Sequence, residues 1–426
     1  MKEILETLNI KKNFIDFNRI IDVKVKKKYN IIVTIPVFNE FDFIEKFVRN
    51  FNKQDDKYFD KLLVIFNVNN TKTVEDTIRN NNERTYKLLN SYKFTFDTLI
   101  IDNFSNGNEL DDKNGGVGIA RKIAMDNALF HFDYSNKSRN VLICLDADCF
   151  VDNYYITKIF EFYQNSDVNA AYVNYKHQLE YNIDEIISYE LYLRYYVLSL
   201  KYANSYYAFH TIGSTMTCTP EAYVKIEGMN KRKAAEDFYF MQKLAKNYKI
   251  YHIKDTTIYP SDRISHRVPF GTGKAIHNYY EGLSKKYFVY DFKIFEILKE
   301  FLQTFNDIIT DADDFTKKFN EIHPLIVEFL EENDFRGSWN NILKYSKYDN
   351  QIQEQKRIWF DGFRTLKFVH FFENKLYKKS DTFINYEKLF NNLKISNDFI
   401  PFRKNADIEN KIKFLKKVID TENKLL

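Results

Sequence analysis

The sequence predicts an α/β fold, a mainly parallel sheet followed by a helical C-terminal region, and three observations carry that prediction. Short β-branched runs such as NIIVTIPV, at Asn30 to Val37, have the continuous apolar pattern of strands buried on both faces. Between such runs lie segments with apolar residues at helical spacing, as at Phe43, Phe47 and Phe51. From Asp291 onward only amphipathic helical segments remain.

Taken in order, the lysines at Lys26 to Lys28 precede the first strand, and Phe38-Asn39-Glu40 turns the chain into the helix FDFIEKFVRNF. Leu62 to Phe66 is the second strand, Val74 to Leu89 a helix, and Thr98 to Ile101 the third strand. Gly118 to Phe132 is the next helix and Val141 to Leu145 the fourth strand. Helices of this length between strands imply right-handed crossovers and parallel neighbours. Beyond Tyr154 the pattern mixes, with a helix at Tyr155 to Tyr163, a strand at Ala170 to Tyr175 and a long helix from about Ile183 to Tyr202. Pro260 to Gly273 is expected to join the two parts. The predicted organisation is a lead-in over 1–29, an α/β domain over 30–275 and a helical region over 276–426.

Composition narrows the function classes. Hydrophobic residues make up 44% and charged residues 29% of 426, which suits a folded protein with a substantial core. The 63 basic residues are nearly balanced by 59 acidic ones, so nothing points to nucleic acid as a partner. Cys144, Cys149 and Cys218 are too few and too unevenly spaced for a disulfide framework or a zinc site. The opening MKEILETLNIKKNFIDF lacks the apolar core of a signal peptide, and no run approaches a membrane span. A cytoplasmic protein is expected. Phe363 to Lys379 mixes aromatic and basic residues, which suits either peripheral attachment to the inner face of an anionic bilayer or a helix packed on the rest of the chain. Trp339 and Trp359 suit core packing or sugar stacking equally.

In an open parallel sheet, ligands bind beyond the carboxyl ends of the strands, so polar clusters matter most there. Asp146-Ala147-Asp148 follows the fourth strand directly. Two such carboxylates suit a hard divalent cation that also bridges phosphate oxygens, or else a solvated acidic turn. Gly115, Gly116 and Gly118 open a helix that carries Arg121 one turn in. Small residues there let a phosphate approach the helix N-terminus and Arg121 add a charge-assisted bond, or they satisfy a loop that needs positive φ. Glu236-Asp237 occupies a first helical turn, where the dipole favours negative charge and where a general base would also fit. Ser261 to Ala275 gathers Arg263, His266, Arg267 and Lys274 around two glycines, a composition suited to a phosphate-side loop.

Four of these segments stand in an order that resembles the family 2 glycosyltransferases, over roughly Asn30 to Lys274. They are IPVFNE at Ile35 to Glu40, GGVGIARKIAMDNAL at Gly115 to Leu129, DAD at Asp146 to Asp148, and GMNKRKAAEDFYFMQKLAK at Gly228 to Lys246. The resemblance implies a GT-A fold, a Rossmann-like nucleotide-diphospho-sugar transferase architecture. It implies transfer of a sugar from a nucleotide-sugar donor to a hydroxyl of a glycan or lipid-linked acceptor, with Mg²⁺ or Mn²⁺ as cofactor. By the same resemblance Pro36, Val37, Asn39 and Glu40 line the nucleotide pocket, with Gly116, Gly118, Arg121 and Asp146 on the donor. Asp146, Asp148 and a late histidine, His266, hold the metal. Arg263, Arg267 and Lys274 face the phosphates. Asp237 is the base for an inverting displacement, with Glu236 beside it.

The chain departs from the family where many members carry adjacent aspartates that read the nucleobase. It has Asn67-Val68-Asn69-Asn70, which makes Asn67 and Asn69 the base readers and Asp102, at the next strand end, the substitute carboxylate. A sugar nucleotidylyltransferase would want a glycine-rich basic signature after the first strand, which IPVFNE lacks. A noncatalytic binding module on the same fold would have lost the carboxylates.

Overall fold

The run Ile31–Val37 (β1) is apolar at nearly every position because both faces of the sheet it forms are covered. The structure, a computed structural model, describes residues 27–113, 115–264, 271–307, 312–396 and 406–426, so the expected lead-in falls almost wholly outside it. Contacts divide the chain into two units, one of 1–181 with 211–274 and one of 182–210 with 275–426.

In the first unit β1 is followed by α1 (Phe41–Phe51), β2 (Leu62–Asn69), α2 (Asp76–Ser91), β3 (Asp97–Asn103), α3 (Val117–Ala128) and β4 (Val141–Cys144). Next come β5 (Phe150–Val151), α4 (Tyr155–Gln164) and β6 (Ala170–Tyr175). Helix α5 (Ile183–Tyr202) belongs to the second unit. The chain then returns with β7 (Met216–Cys218), α6 (Pro220–Lys225), α7 (Glu236–Asn247) and β8 (Ile250–Tyr259), and α8 (Thr272–Tyr280) begins at the unit's end.

The strands form one sheet in the order β3-β2-β1-β4-β7-β6-β8-β5. It is parallel from β3 to β4, and β6 pairs parallel with β8, but β7 runs antiparallel to both its neighbours and β5 antiparallel to β8. The sheet is therefore mixed, with four parallel and three antiparallel pairings among the described residues, where an almost wholly parallel one is expected from the sequence. The reason is local: β7 is only three residues long, and in β8 the exposed Lys254 and Asp255 interrupt the apolar positions, so neither shows the apolar run that marks β1 and β2. Alternate residues of β1 and β2 face a core shared with Phe47 and Phe51 of α1 and Ile156 and Phe160 of α4. The opposite face packs on α3, whose Ala120, Ile123, Ala124 and Met125 are buried.

In the second unit α5 is accompanied by β9 (Phe288–Val289), α9 (Phe292–Asn306), α10 (Ala312–Ile322), α11 (Pro324–Glu332), α12 (Phe335–Tyr345), α13 (Asp349–Trp359) and α14 (Gly362–Lys375). The chain closes with β10 (Ser380–Asp381), paired antiparallel with β9, then α15 (Thr382–Asn392) and α16 (Ile408–Leu425). Its core is aromatic: Trp339 lies 5.1 Å from Phe315, Trp359 5.2 Å from Phe335, and Phe301 5.3 Å from Phe368, centroid to centroid. Both tryptophans are buried in that core, and α14 buries Phe368, Val369 and Phe372 there. A buried charge cluster ties α16 to α5. Arg194 donates to Glu190 at 2.8 Å and to Glu422 at 2.8 Å, and the other Glu422 oxygen pairs with His210 Nε2 at 2.5 Å. No helix among the described residues is long and apolar enough to cross a membrane.

Candidate functional site

Because β1 and β4 are parallel neighbours with Thr34 opposite Cys144, the segments that follow them emerge at the same sheet edge. Glu40 comes from the first and Asp146 and Asp148 from the second. The pairing of Phe150 with Tyr259 sets the end of β8 against the same place, and Gln178 fastens it by donating to Asp148 O at 3.1 Å and Tyr259 O at 2.7 Å. Arg263, four residues past β8, thereby reaches Asp148.

Each aspartate of the pair is bridged by one arginine to one glutamate. Arg121 Nη2 donates to Asp146 Oδ1 at 2.7 Å and its Nε to Glu236 Oε1 at 3.2 Å, while Nη1 donates to Gly213 O at 3.2 Å. Arg263 Nη2 lies 2.8 Å from Asp148 Oδ2 and 2.6 and 2.8 Å from the two oxygens of Glu40, with its guanidinium 4.2 Å from the Phe43 ring centroid. Arg121, Glu236 and Glu40 are buried, but the Asp146 side chain is 33% and the Asp148 side chain 18% exposed, so the aspartates are the members of each set open to a ligand. Burial works against both guanidinium charges. The Asp146 and Glu236 carboxylates around Arg121, and Asp148 and Glu40 around Arg263, outweigh it and raise both pKa values.

Asp237 is the second residue of α7, directly after Glu236; it is half-buried and accepts from the Phe238 amide at 2.7 Å. Burial, then the charge of Glu236, push its carboxyl up, and Arg121 only partly opposes them. Glu236 is raised as well, by burial first and against the pull of Arg121. A carboxyl raised this way is a better proton acceptor than an ordinary one near neutral pH.

The glycines before Arg121 serve packing. A Cβ on Gly118 would stand 2.2 Å from Arg232 O, and Gly116 lies against Lys233, so they let α3 approach the segment that leads into α7. The asparagines after β2 are likewise engaged. Asn67 donates to Ala120 O at 2.8 Å and accepts from Asn103 at 2.7 Å; Asn69 donates to Val37 O at 3.0 Å. Asn82 of α2 donates to Asn69 O and accepts from the Asn39 amide at 2.9 Å, which holds Asn39 in its left-handed conformation, φ 57°. Asp102 accepts from Phe104 N, Ser105 and Asn108; burial alone would raise its pKa, but these bonds lower it overall.

Pro36 and Val37 end β1 at the same edge as the carboxylates, and Lys274 lies half-buried in the first turn of α8. His266 and Arg267 lie outside the described residues. Sequence reasoning missed Gly213: a Cβ there would stand 2.4 Å from Arg121 Nη2, so only glycine leaves room for the guanidinium. Its one signal is position, a glycine directly before the small residues that lead into β7.

Among the described residues no group of three or more His, Cys, Asp or Glu side chains could hold a metal ion. Asp146 and Asp148 alone still suit Mg²⁺ or Mn²⁺ of the open kind, bound through one or two carboxylates with phosphates and water completing the shell.

No family model and no curated protein matches the chain. Several solved structures show remote similarity. S. aureus TarS 1-349 in complex with UDP-GlcNAc matches at 13% identity and TM-score 0.38 over 79% of this chain and 92% of that one. The mannosyltransferase PcManGT from Pyrobaculum calidifontis, in complex with GDP-Man and Mn²⁺, matches at 14% identity and TM-score 0.37 over 82% and 88%. Glucosyl-3-phosphoglycerate synthase from Mycobacterium tuberculosis matches at 11% and 0.32 over 55% and 72%. Overlap this slight assigns no activity; what the site can do follows from its own side chains.

Proposed function

We propose that the first unit is a GT-A-type glycosyltransferase that moves a sugar from a nucleoside-diphosphate donor to an acceptor hydroxyl with a divalent cation, Mg²⁺ or Mn²⁺. The observation that carries this reading is the pair of arginine-bridged carboxylate sets at one sheet edge, beside a half-buried aspartate of raised pKa. The order of the four resembling segments supports it further.

In this reading Asp146 and Asp148 hold the cation, which when bound neutralises the diphosphate as it leaves the sugar. Arg263 and Lys274 face the phosphates. Pro36, Val37, Asn39 and Glu40 form the wall at the end of β1. Asp237 takes the proton from the acceptor hydroxyl as that oxygen attacks the anomeric carbon, the arrangement of an inverting displacement. Arg121 and Glu236 fix Asp146 and the start of α7 and do not touch the donor. Asn67, Asn69, Gly116, Gly118 and Asp102 are framework, a role their hydrogen bonds and packing support better than base or phosphate contact. The acceptor is a glycan or lipid-linked hydroxyl.

The test is a thermal-shift screen against UDP, GDP, CDP and dTDP and their sugars, with and without Mn²⁺, since a ligand that binds only the native state raises Tm. A metal-dependent rise with one nucleotide, lost in Asp148→Ala and kept in Asp237→Asn, is expected. No rise with any of them would sink the reading.

A further inference from the structure

Arg263 is bound to two carboxylates of unequal hold. Both Glu40 oxygens and the Phe43 ring anchor its guanidinium, whereas Asp148 meets it through one oxygen only, at 2.8 Å. Asp148 is also the more exposed of the two partners, 18% against 5% for the Glu40 side chain. The contact with Asp148 is therefore the one that can be given up while Glu40 keeps the guanidinium in place.

We propose that Arg263 is the resident counter-cation of Asp148, and that the nucleotide must arrive before a divalent ion can bind there tightly. The inference rests on the reading of this site as a metal and diphosphate site. With Arg263 in place, a divalent ion at Asp148 meets a fixed positive charge within a few ångströms in a partly desolvated site, where repulsion is weakly screened. A diphosphate reverses the balance. Its oxygens offer the guanidinium a partner at least as good as Asp148, because planar guanidinium matches phosphate well. They also bring negative charge to hold the ion. Asp148 then exchanges one cation for another, and by linkage each ligand tightens the other by the same factor.

The experiment measures Mn²⁺ affinity of the full-length chain, by the loss of the free-ion paramagnetic resonance signal, alone and with a saturating nucleoside diphosphate. For the native protein the nucleotide is expected to tighten Mn²⁺ by about tenfold or more, within the usual range of coupling between sites. In Arg263→Gln, Mn²⁺ alone binds more tightly than to the native protein, and the gain from nucleotide shrinks. Arg263→Lys, which keeps a charge without the fork, shows the same change to a smaller degree and serves if the glutamine variant does not fold. Unchanged metal-only affinity in the folded variants overturns the proposal, as does native protein that binds Mn²⁺ equally well with and without nucleotide. If the variants tighten the metal but no nucleotide binds to any of them, the counter-cation role stands and the donor reading fails.

Discussion

Arg121 Nη2 sits 2.7 Å from Asp146 Oδ1 in a space that exists because residue 213 has no side chain. Gly213→Ala puts a methyl group 2.4 Å from that nitrogen, so the guanidinium must leave Asp146 or the backbone must move. Overpacking of this kind costs about 1–3 kcal/mol. The variant should unfold at lower urea concentration and lose donor binding more than its stability loss explains. Native-like donor binding would show that Arg121 does not need its place.

Gly118→Ala sets two effects against each other. Helix propensity favours alanine by about 0.5–1 kcal/mol, but its Cβ would stand 2.2 Å from a backbone carbonyl, that of Arg232, which cannot swing aside as a side chain can. Net destabilisation is expected in chemical denaturation, and a gain in stability would mean that α3 is not pressed against the segment before α7.

The raised Asp237 pKa has two consequences of known sign. As a base it works only when ionised, so the acid limb of the pH–rate profile should lie above the ordinary carboxylate range. Arg121 holds the value down, so Arg121→Met, if it folds, should move the limb to still higher pH. That variant also leaves Glu236 buried without its partner, at a cost of about 3–5 kcal/mol. Asp237→Asn should cut kcat by about 10²–10⁴. Because a raised acid pKa means stability is lost as pH climbs from the unfolded value through the folded one, the same variant should be more stable than the native protein at neutral pH.

Glu422 behaves oppositely. Burial would raise its pKa, but His210 and Arg194 outweigh burial and hold it down at about 2. A lowered acid pKa contributes stability above the unfolded value and loses it as pH falls toward 2. The second unit should therefore loosen between about pH 4.5 and 2, and Glu422→Gln should loosen it already at neutral pH. Tryptophan fluorescence follows this unit alone, since the chain's two tryptophans, Trp339 and Trp359, both lie in it. Emission that holds steady through the acid range would contradict the pairing.

How far the sequence goes depends on whether the deciding interaction is local. The strand at Ala170–Tyr175 and the helix at Ile183–Tyr202 have the predicted limits, because apolar runs and helical spacing depend on neighbours. Strand β8 shows no such run because Lys254 and Asp255 interrupt IYHIKDTTIY at exposed positions. Asp146, Asp148, Glu236 and Asp237 were legible as carboxylates at a strand end and a helix start. Their arginines were not assignable: Arg121 meets a glutamate 115 residues away, and Arg263 one 223 residues away. No local pattern encodes such pairings, so the sequence suggests a phosphate for Arg121 but does not reveal that it donates to Asp146, Glu236 and the Gly213 carbonyl.

The chain leaves the first unit at residue 182 and returns at 211, carrying α5 into the second. No single cut can therefore separate the two units. A fragment ending near residue 275 would display α5, with Leu191, Arg194 and Leu198 all fully buried in the whole chain, stripped of the helices that cover it. The same holds for nascent chains on the ribosome. Glu422, one of the two carboxylates that neutralise Arg194, is made more than two hundred residues after it, so this helix waits uncovered until α16 has been made. A chain cut before α16 would leave a buried guanidinium with half its counter-charge.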